Sequence, residues 1–145
     1  MSESNKSIVR RVFDECLNTH DLSSYSELHS NVIYHAPALG RLPAGAHRDF
    51  LLSLFAGLPD ARWTIEDQVA DDDKVVTRWS VVGTHLGIFL GAAATDNPVM
   101  MEGISIHRLM NGKIVEQWDE WDTLGMMRQL GVIAPEATIG DMVAP

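Results

Sequence analysis

Hydrophobic and polar positions follow one period early in this chain and another later. Residues 4–18 set Ile8, Val9, Val12, Phe13, Cys16 and Leu17 three and four apart, which predicts an amphipathic helix with Ser2 or Ser4 as its N-cap. The break "NTHD" separates it from a short second helix, Leu22–His29. "NVIYHAP" is rich in β-formers and closed by Pro37, so it predicts a short strand running into a loop. Residues 45–57 predict a third helix with Phe50, Leu51, Leu54 and Phe55 on one face, ended by Gly57 and Pro59. From there alternation takes over and predicts strands at 61–70, 74–86, 98–109 and 113–122. "DDDK" turns between the first two. "MNG" before Lys113 turns between the last two, because Asn and Gly tolerate the left-handed backbone of tight hairpins. The Gly- and Ala-rich "GIFLGAAATDNP" joins the pairs, a last helix covers 122–130 up to Gly131, and a loosely held tail is expected from Ala134.

Helices ahead of a long antiparallel sheet predict an α+β layer, with the sheet curled over the helices so that its concave face walls a pocket. A length of 145 residues suits one domain spanning the whole chain. Apolar residues at 46% and charged residues at 21% are an ordinary soluble balance. The net charge of −9, with 11 Lys and Arg dispersed along the chain, argues against nucleic acid and against an anionic membrane surface as partners. No apolar run approaches the roughly 20 residues of a membrane span. "MSESNKS" has neither the basic nor the apolar part of a signal peptide, so a cytoplasmic location is expected. The lone Cys16 falls on the apolar stripe of the first helix and reads as core. HxH, HExxH, CxxC, P-loop and GxSxG patterns are absent, so neither a metal nor a cofactor is expected.

Candidate chemistry sits in "KIVEQWDEWD", where Glu116, Asp119, Glu120 and Asp122 surround Trp118 and Trp121. The hairpin register decides which of them faces the pocket. A two-residue Asn111-Gly112 turn puts Glu116, Trp118, Glu120 and Asp122 on the face of Ser105 and His107. A three-residue turn, Met110-Asn111-Gly112 with Gly112 as a bulge, reverses this. Gly103, Ser105 and His107 then share a face with Val115, Gln117, Asp119 and Trp121, and the other face carries Ile104, Ile106, Arg108, Ile114, Glu116, Trp118 and Glu120. The second register is chemically better, since it pairs Arg108 with Glu116 and leaves a single acid, Asp119, in an indole-lined cavity where its pKa can be tuned. Arg78 and Ser80 alternate on one side of their strand, and an arginine between Val76 and Val82 is expected on the pocket face, within reach of Asp119. The bland alternative for Asp119 is a structural ion pair with Arg78. Outward Ile104, Ile106 and Trp118 would suit a homodimer contact. Tyr34 and His35 are placed at the pocket rim, one facing in and one out, while His47 is expected in solvent.

"VVTRWSVVGTHLGIFLG…ATDNPV", "HRLMNGKIVEQWDEWD" and "DTLGMMRQLG" resemble the SnoaL-like polyketide cyclase family over nearly the whole chain. The resemblance implies the cone-shaped fold of nuclear transport factor 2. It also implies closure of a ring by an intramolecular aldol reaction, without metal or cofactor, with an aspartate as acid/base. That aspartate falls on Asp119. Related limonene epoxide hydrolases carry an aspartate at the same spacing; their arginine matches Arg78 and their second carboxylate falls on Ser80. The histidine that the cyclases pair with the aspartate stands here as Ser105, with His107 and His85 as substitutes, and an asparagine expected after Tyr34 is replaced by His35 or Ala36.

These features make a cyclase or isomerase acting on a hydrophobic carbonyl compound the first expectation. Asp119 and Arg78 would be catalytic. Ser105, His107, Gln117, Trp121, His85, His35, Tyr34 and Ser80 would contact substrate. Water activation by Asp119, as in an epoxide hydrolase or dehydratase, and a non-catalytic ligand carrier are the alternatives.

Overall fold

The computed structural model describes residues 2–37 and 39–133; the tail expected from Ala134 lies outside them. Helix α1 (Ser2–Arg11) runs into one wider π-helical stretch, Val12–Leu17, and buries Val9, Val12, Phe13 and Cys16, the stripe that the spacing predicts. Helix α2 is only Tyr25–Leu28; His29, predicted at a helix end, begins strand β1 (His29–Ala36). A strand that the sequence left as loop, β2 (Gly40–Leu42), folds back antiparallel on β1. Helix α3 (Ala44–Gly57) follows, then β3 (Arg62–Asp71), β4 (Lys74–Thr84), β5 (Pro98–Met110), β6 (Lys113–Trp121) and α4 (Thr123–Gln129). No helix among the described residues is long and apolar enough to cross a membrane.

The six strands form one sheet in the order β2-β1-β6-β5-β4-β3, an unclosed α+β layer with the helices against one face. All neighbours are antiparallel except β1 and β6, which run parallel and bring Tyr34 beside Gln117. Register shifts interrupt the β1–β6, β3–β4 and β5–β6 ladders. Such irregularities bend strands, and here they accompany the curvature that gives the sheet an inside. Alternation is strict on that inside: Val75, Thr77, Trp79 and Val81 of β4 are buried, as are Val99, Met101, Gly103, Ser105, His107 and Leu109 of β5. The apolar ones, Val75, Trp79, Val81, Val99, Met101 and Leu109, join Val9, Phe13, Leu54 and Phe55 of the helices in one hydrophobic cluster.

The hairpin corrects the expected turn while keeping its facing. Met110 pairs with Lys113, so the connection is the two-residue Asn111-Gly112 turn, with φ of 53° and 77° as a mirror-image turn requires. Leu109 then pairs with Ile114, but Arg108 pairs with Glu116. Val115 is therefore an extra residue, a bulge that flips the parity of everything beyond it. Ile114, expected outside, is fully buried, and Gln117, Asp119 and Trp121 still turn inward. The charge pairing that favoured this facing is present on the outer wall, where Arg108 Nη2 lies 3.1 Å from Glu116 Oε1.

Gly103 is the second position where backbone and packing coincide. It faces Trp79 across the β4–β5 ladder, and a Cβ there would overlap the indole ring. Gly103→Ala is expected to cost about 1–3 kcal/mol by overpacking. For a chain of this size that lowers Tm by roughly 3–10 °C, measurable by calorimetry.

Candidate active site

Between the concave sheet and the helices lies an open-mouthed cavity of about 60 Å³. Most of its wall is apolar, from Phe13, Leu54, Trp63, Trp79, Phe89 and Met126 among others, and its polar lining is Tyr34, His47, Ser105, His107, Gln117, Asp119 and the Trp121 indole. The Phe50 and Trp121 rings stack 6.0 Å apart and only 4° from parallel, which makes one wall a flat aromatic surface.

Asp119 is buried among three neutral donors. Ser105 Oγ reaches Oδ1 at 2.6 Å, Gln117 Nε2 reaches the same oxygen at 2.9 Å, and the Tyr34 hydroxyl reaches Oδ2 at 2.7 Å. Each donor comes from a different constraint of the sheet. Ser105 is the direct cross-strand partner of Asp119, Gln117 is the next inward residue of β6, and Tyr34 arrives through the parallel β1–β6 pairing. Ser105 has a fixed direction, because its oxygen accepts the Trp79 indole N–H at 2.8 Å and so turns its own proton to Asp119. Burial pushes the Asp119 pKa up, opposed by the bonds from Gln117, Ser105 and Tyr34, and the net direction is upward.

Several expected site residues stand elsewhere. Arg78 is exposed on the outer face, opposite Asp67 and Ile104, and does not approach Asp119. The cause is Trp79: burying its indole turns the neighbouring guanidinium into water, where it needs no partner. Ser80 shares that outer face and donates to Glu66 at 2.7 Å. His35 also faces outward, stacked on Trp118 at 5.2 Å and 2.8 Å from Glu116. His85 is fully buried but ties a loop together, with ring Nδ1 3.0 Å from Thr95 Oγ1 and its backbone N–H donating to the Asn97 carbonyl, and it does not line the cavity. The cavity keeps Asp119, Ser105, His107, Gln117, Trp121 and Tyr34 together.

His47, expected in solvent, is 3% exposed and lines the cavity. Its ring lies 4.2 Å from that of Tyr34, and its Nδ1 is 2.7 Å from the Tyr25 hydroxyl. A signal for this existed, since His47, Phe50, Leu51 and Leu54 are spaced as one helix face. His107 is buried, hydrogen-bonded to Gln117, and has no partner at Nδ1 among the described residues. Burial lowers the ring pKa of His47 to about 3, with help from His29 and His107, and that of His107 to about 3, with help from His29. Burial likewise lowers His29 to about 4 against its bond to the Tyr25 carbonyl. No group of three or more His, Cys, Asp or Glu among the described residues is arranged to hold a metal ion.

Residues 7–130 match the family model of SnoaL-like polyketide cyclases. No curated protein matches the chain. Among solved structures, it is similar to IdmH of Streptomyces antibioticus, provisionally a polyketide cyclase, at 27% identity and TM-score 0.77, over 88% of this chain and 98% of that one. TsrD of Streptomyces laurentii is similar at 26% identity and TM-score 0.79, over 90% and 97%. AclR of Streptomyces galilaeus shares the fold at 21% identity and TM-score 0.85, over 96% and 88%.

The buried histidines set the acid stability. All three ring pKa values fall below the unfolded value of 6.5, so the unfolded chain binds more protons at mildly acid pH. Their contribution is whole above about pH 7 and is lost as pH falls through about 4 for His29 and about 3 for His47 and His107. Asp119, raised in the fold, acts in the opposite sense: its proton favours the folded state at low pH, and that advantage disappears as pH rises through its folded value. Urea unfolding at stepped pH should therefore show stability falling as pH is lowered from 7 towards 4, by at most about 1.4 kcal/mol per pH unit for each ring and less where Asp119 offsets it. His107→Gln should flatten that slope.

Proposed function

Because this chain belongs to the SnoaL-like polyketide cyclase family, we propose that it is an enzyme of acid/base chemistry that needs no cofactor and acts on a hydrophobic carbonyl compound by aldol-type cyclisation or isomerisation. The observation that carries this reading is the state of Asp119: buried, raised in pKa, and bonded by neutral donors. A surface carboxylate with a pKa near 4 is a poor base, and a carboxylate locked to a guanidinium is poorer still. Asp119 avoids both. It takes the proton α to the carbonyl, the carbanion attacks a second carbonyl of the same molecule, and the new alkoxide recovers the proton from Asp119. Ser105, Gln117 and Tyr34 hold the carboxylate oxygens in place between the two transfers. The Phe50–Trp121 surface orients a flat substrate.

The outer sheet face carries Val82, Met100 and Ile104, all substantially exposed, beside Trp118. We propose a second copy of the chain as its partner. Ile104→Glu should then shift the protein to a monomer in sedimentation velocity while leaving the inward cavity unchanged.

Phenylacetone, a small enolisable ketone, serves as a probe of the acid/base step. The protein should speed deuterium exchange of its α-protons in D2O, followed by proton NMR, and Asp119→Asn should slow that exchange by about 10²–10⁴-fold while keeping its circular dichroism. A folded Asp119→Asn protein exchanging as fast as its parent would falsify the assignment.

A further inference from the structure

An enolate needs a donor at its oxygen as well as a base at its carbon, and Asp119 with its three bonds supplies only the base. The cavity contains another polar group whose proton is placed by the fold. The Tyr25 ring is clamped between the His29 ring, 4.0 Å away and 15° from parallel, and the Arg48 guanidinium, 4.7 Å from its centroid. Burial raises the Tyr25 pKa, so its hydroxyl keeps its proton. The hydroxyl lies 2.7 Å from His47 Nδ1, its one hydrogen-bond partner among the described residues, and a protonated phenol with a single imidazole partner donates to it. A neutral imidazole accepting at Nδ1 carries its own proton at Nε2. His47 stays neutral at pH 7 because burial, then His29 and His107, hold its pKa at about 3; Arg48 and Asp119 are the charged groups nearby. The same imidazole stacks on Tyr34, whose hydroxyl ends on Asp119. One tyrosine ring thus separates the imidazole from the carboxylate, and both line the same cavity.

We propose that His47 is a second catalytic residue, a neutral imidazole whose Nε2–H donates to the substrate's carbonyl oxygen as negative charge develops there, and that Tyr25 is the positioning residue that fixes this tautomer. The inference rests on the carbonyl reading above and narrows the substrate to one whose carbonyl oxygen lies toward α3 while its α-carbon lies toward β6. Neutrality matters to the chemistry. An imidazolium would compete to protonate the carbanion or Asp119, whereas a neutral ring stabilises the oxyanion and keeps its proton. The bond that breaks remains C–H, with the proton on Asp119, and nothing is oxidised or reduced.

Nitrogen-15 NMR of histidine-labelled protein tests the tautomer without any turnover. His47 should show a protonated Nε2 and a bare Nδ1, unchanged from pH 5.5 to 8, and Tyr25→Phe should produce a mixture of tautomers. In the phenylacetone exchange assay, folded His47→Phe should lose about 10²-fold in rate, Tyr25→Phe less, and His47→Gln should recover part of the loss because its amide still donates. A proton on Nδ1, or titration of His47 near pH 6.5, overturns the proposal even if every substituted protein fails to fold. Full exchange in His47→Phe with slow exchange in Asp119→Asn overturns it while sparing the role of Asp119. Full exchange in both removes the wider reading as well.

Discussion

A carboxylate taken out of water must either find a cation or be surrounded by donors, and in this protein it is surrounded. Ser105, Gln117 and Tyr34 converge on Asp119 from β5, β6 and β1, at 2.6 to 2.9 Å. Three neutral hydrogen bonds lower the cost of burying the charge without cancelling it. A salt bridge would have cancelled it and left an inert acid. The site therefore depends on Arg78 staying outside, and the indole of Trp79 keeps it there by taking the inward place next to it while donating to Ser105.

The same segregation runs through the whole sheet. Formal charges are collected on the convex wall, where Arg108 pairs with Glu116 and the same carboxylate bonds the His35 ring beside Trp118. The concave wall carries dipoles and aromatic rings. Its histidines are uncharged at neutral pH because they are buried together, and each depresses the next. Low dielectric strengthens every interaction left inside, so a few well-aimed N–H and O–H groups are enough to steer a reaction. The buried imidazoles make the same site sensitive to acid, a stability cost that an apolar lining would not carry.

Similarity to solved structures at 21 to 27% identity reaches nearly the full described fold. Identity that low leaves the lining free to vary while the frame persists. In the lining here a serine, Ser105, stands beside Asp119 where the family resemblance implies a histidine. The serine still bonds to Asp119, but as a short hydroxyl backed by an indole. The imidazoles come instead from α3 and from two residues along β5.

The fold class, most element boundaries and the inward facing of Ser105, His107, Gln117, Asp119 and Trp121 were legible in the sequence, because alternation and charge pairing are local and the backbone period imposes them. The facing follows from a different turn than the sequence predicts: the pairing of Arg108 with Glu116 and the single inward acid carried the parity, while the Val115 bulge that produces it left no mark of its own. What lay beyond the sequence was every contact between segments far apart in the chain. Tyr34 meets Asp119 only because β1 inserts parallel to β6, and Tyr25 meets His47 only because α2 and α3 close over the same end of the sheet. Arg78 was misplaced because a local pattern cannot say which of two adjacent side chains, indole or guanidinium, the cavity has room for. Volume and desolvation decide that, and both belong to the assembled fold.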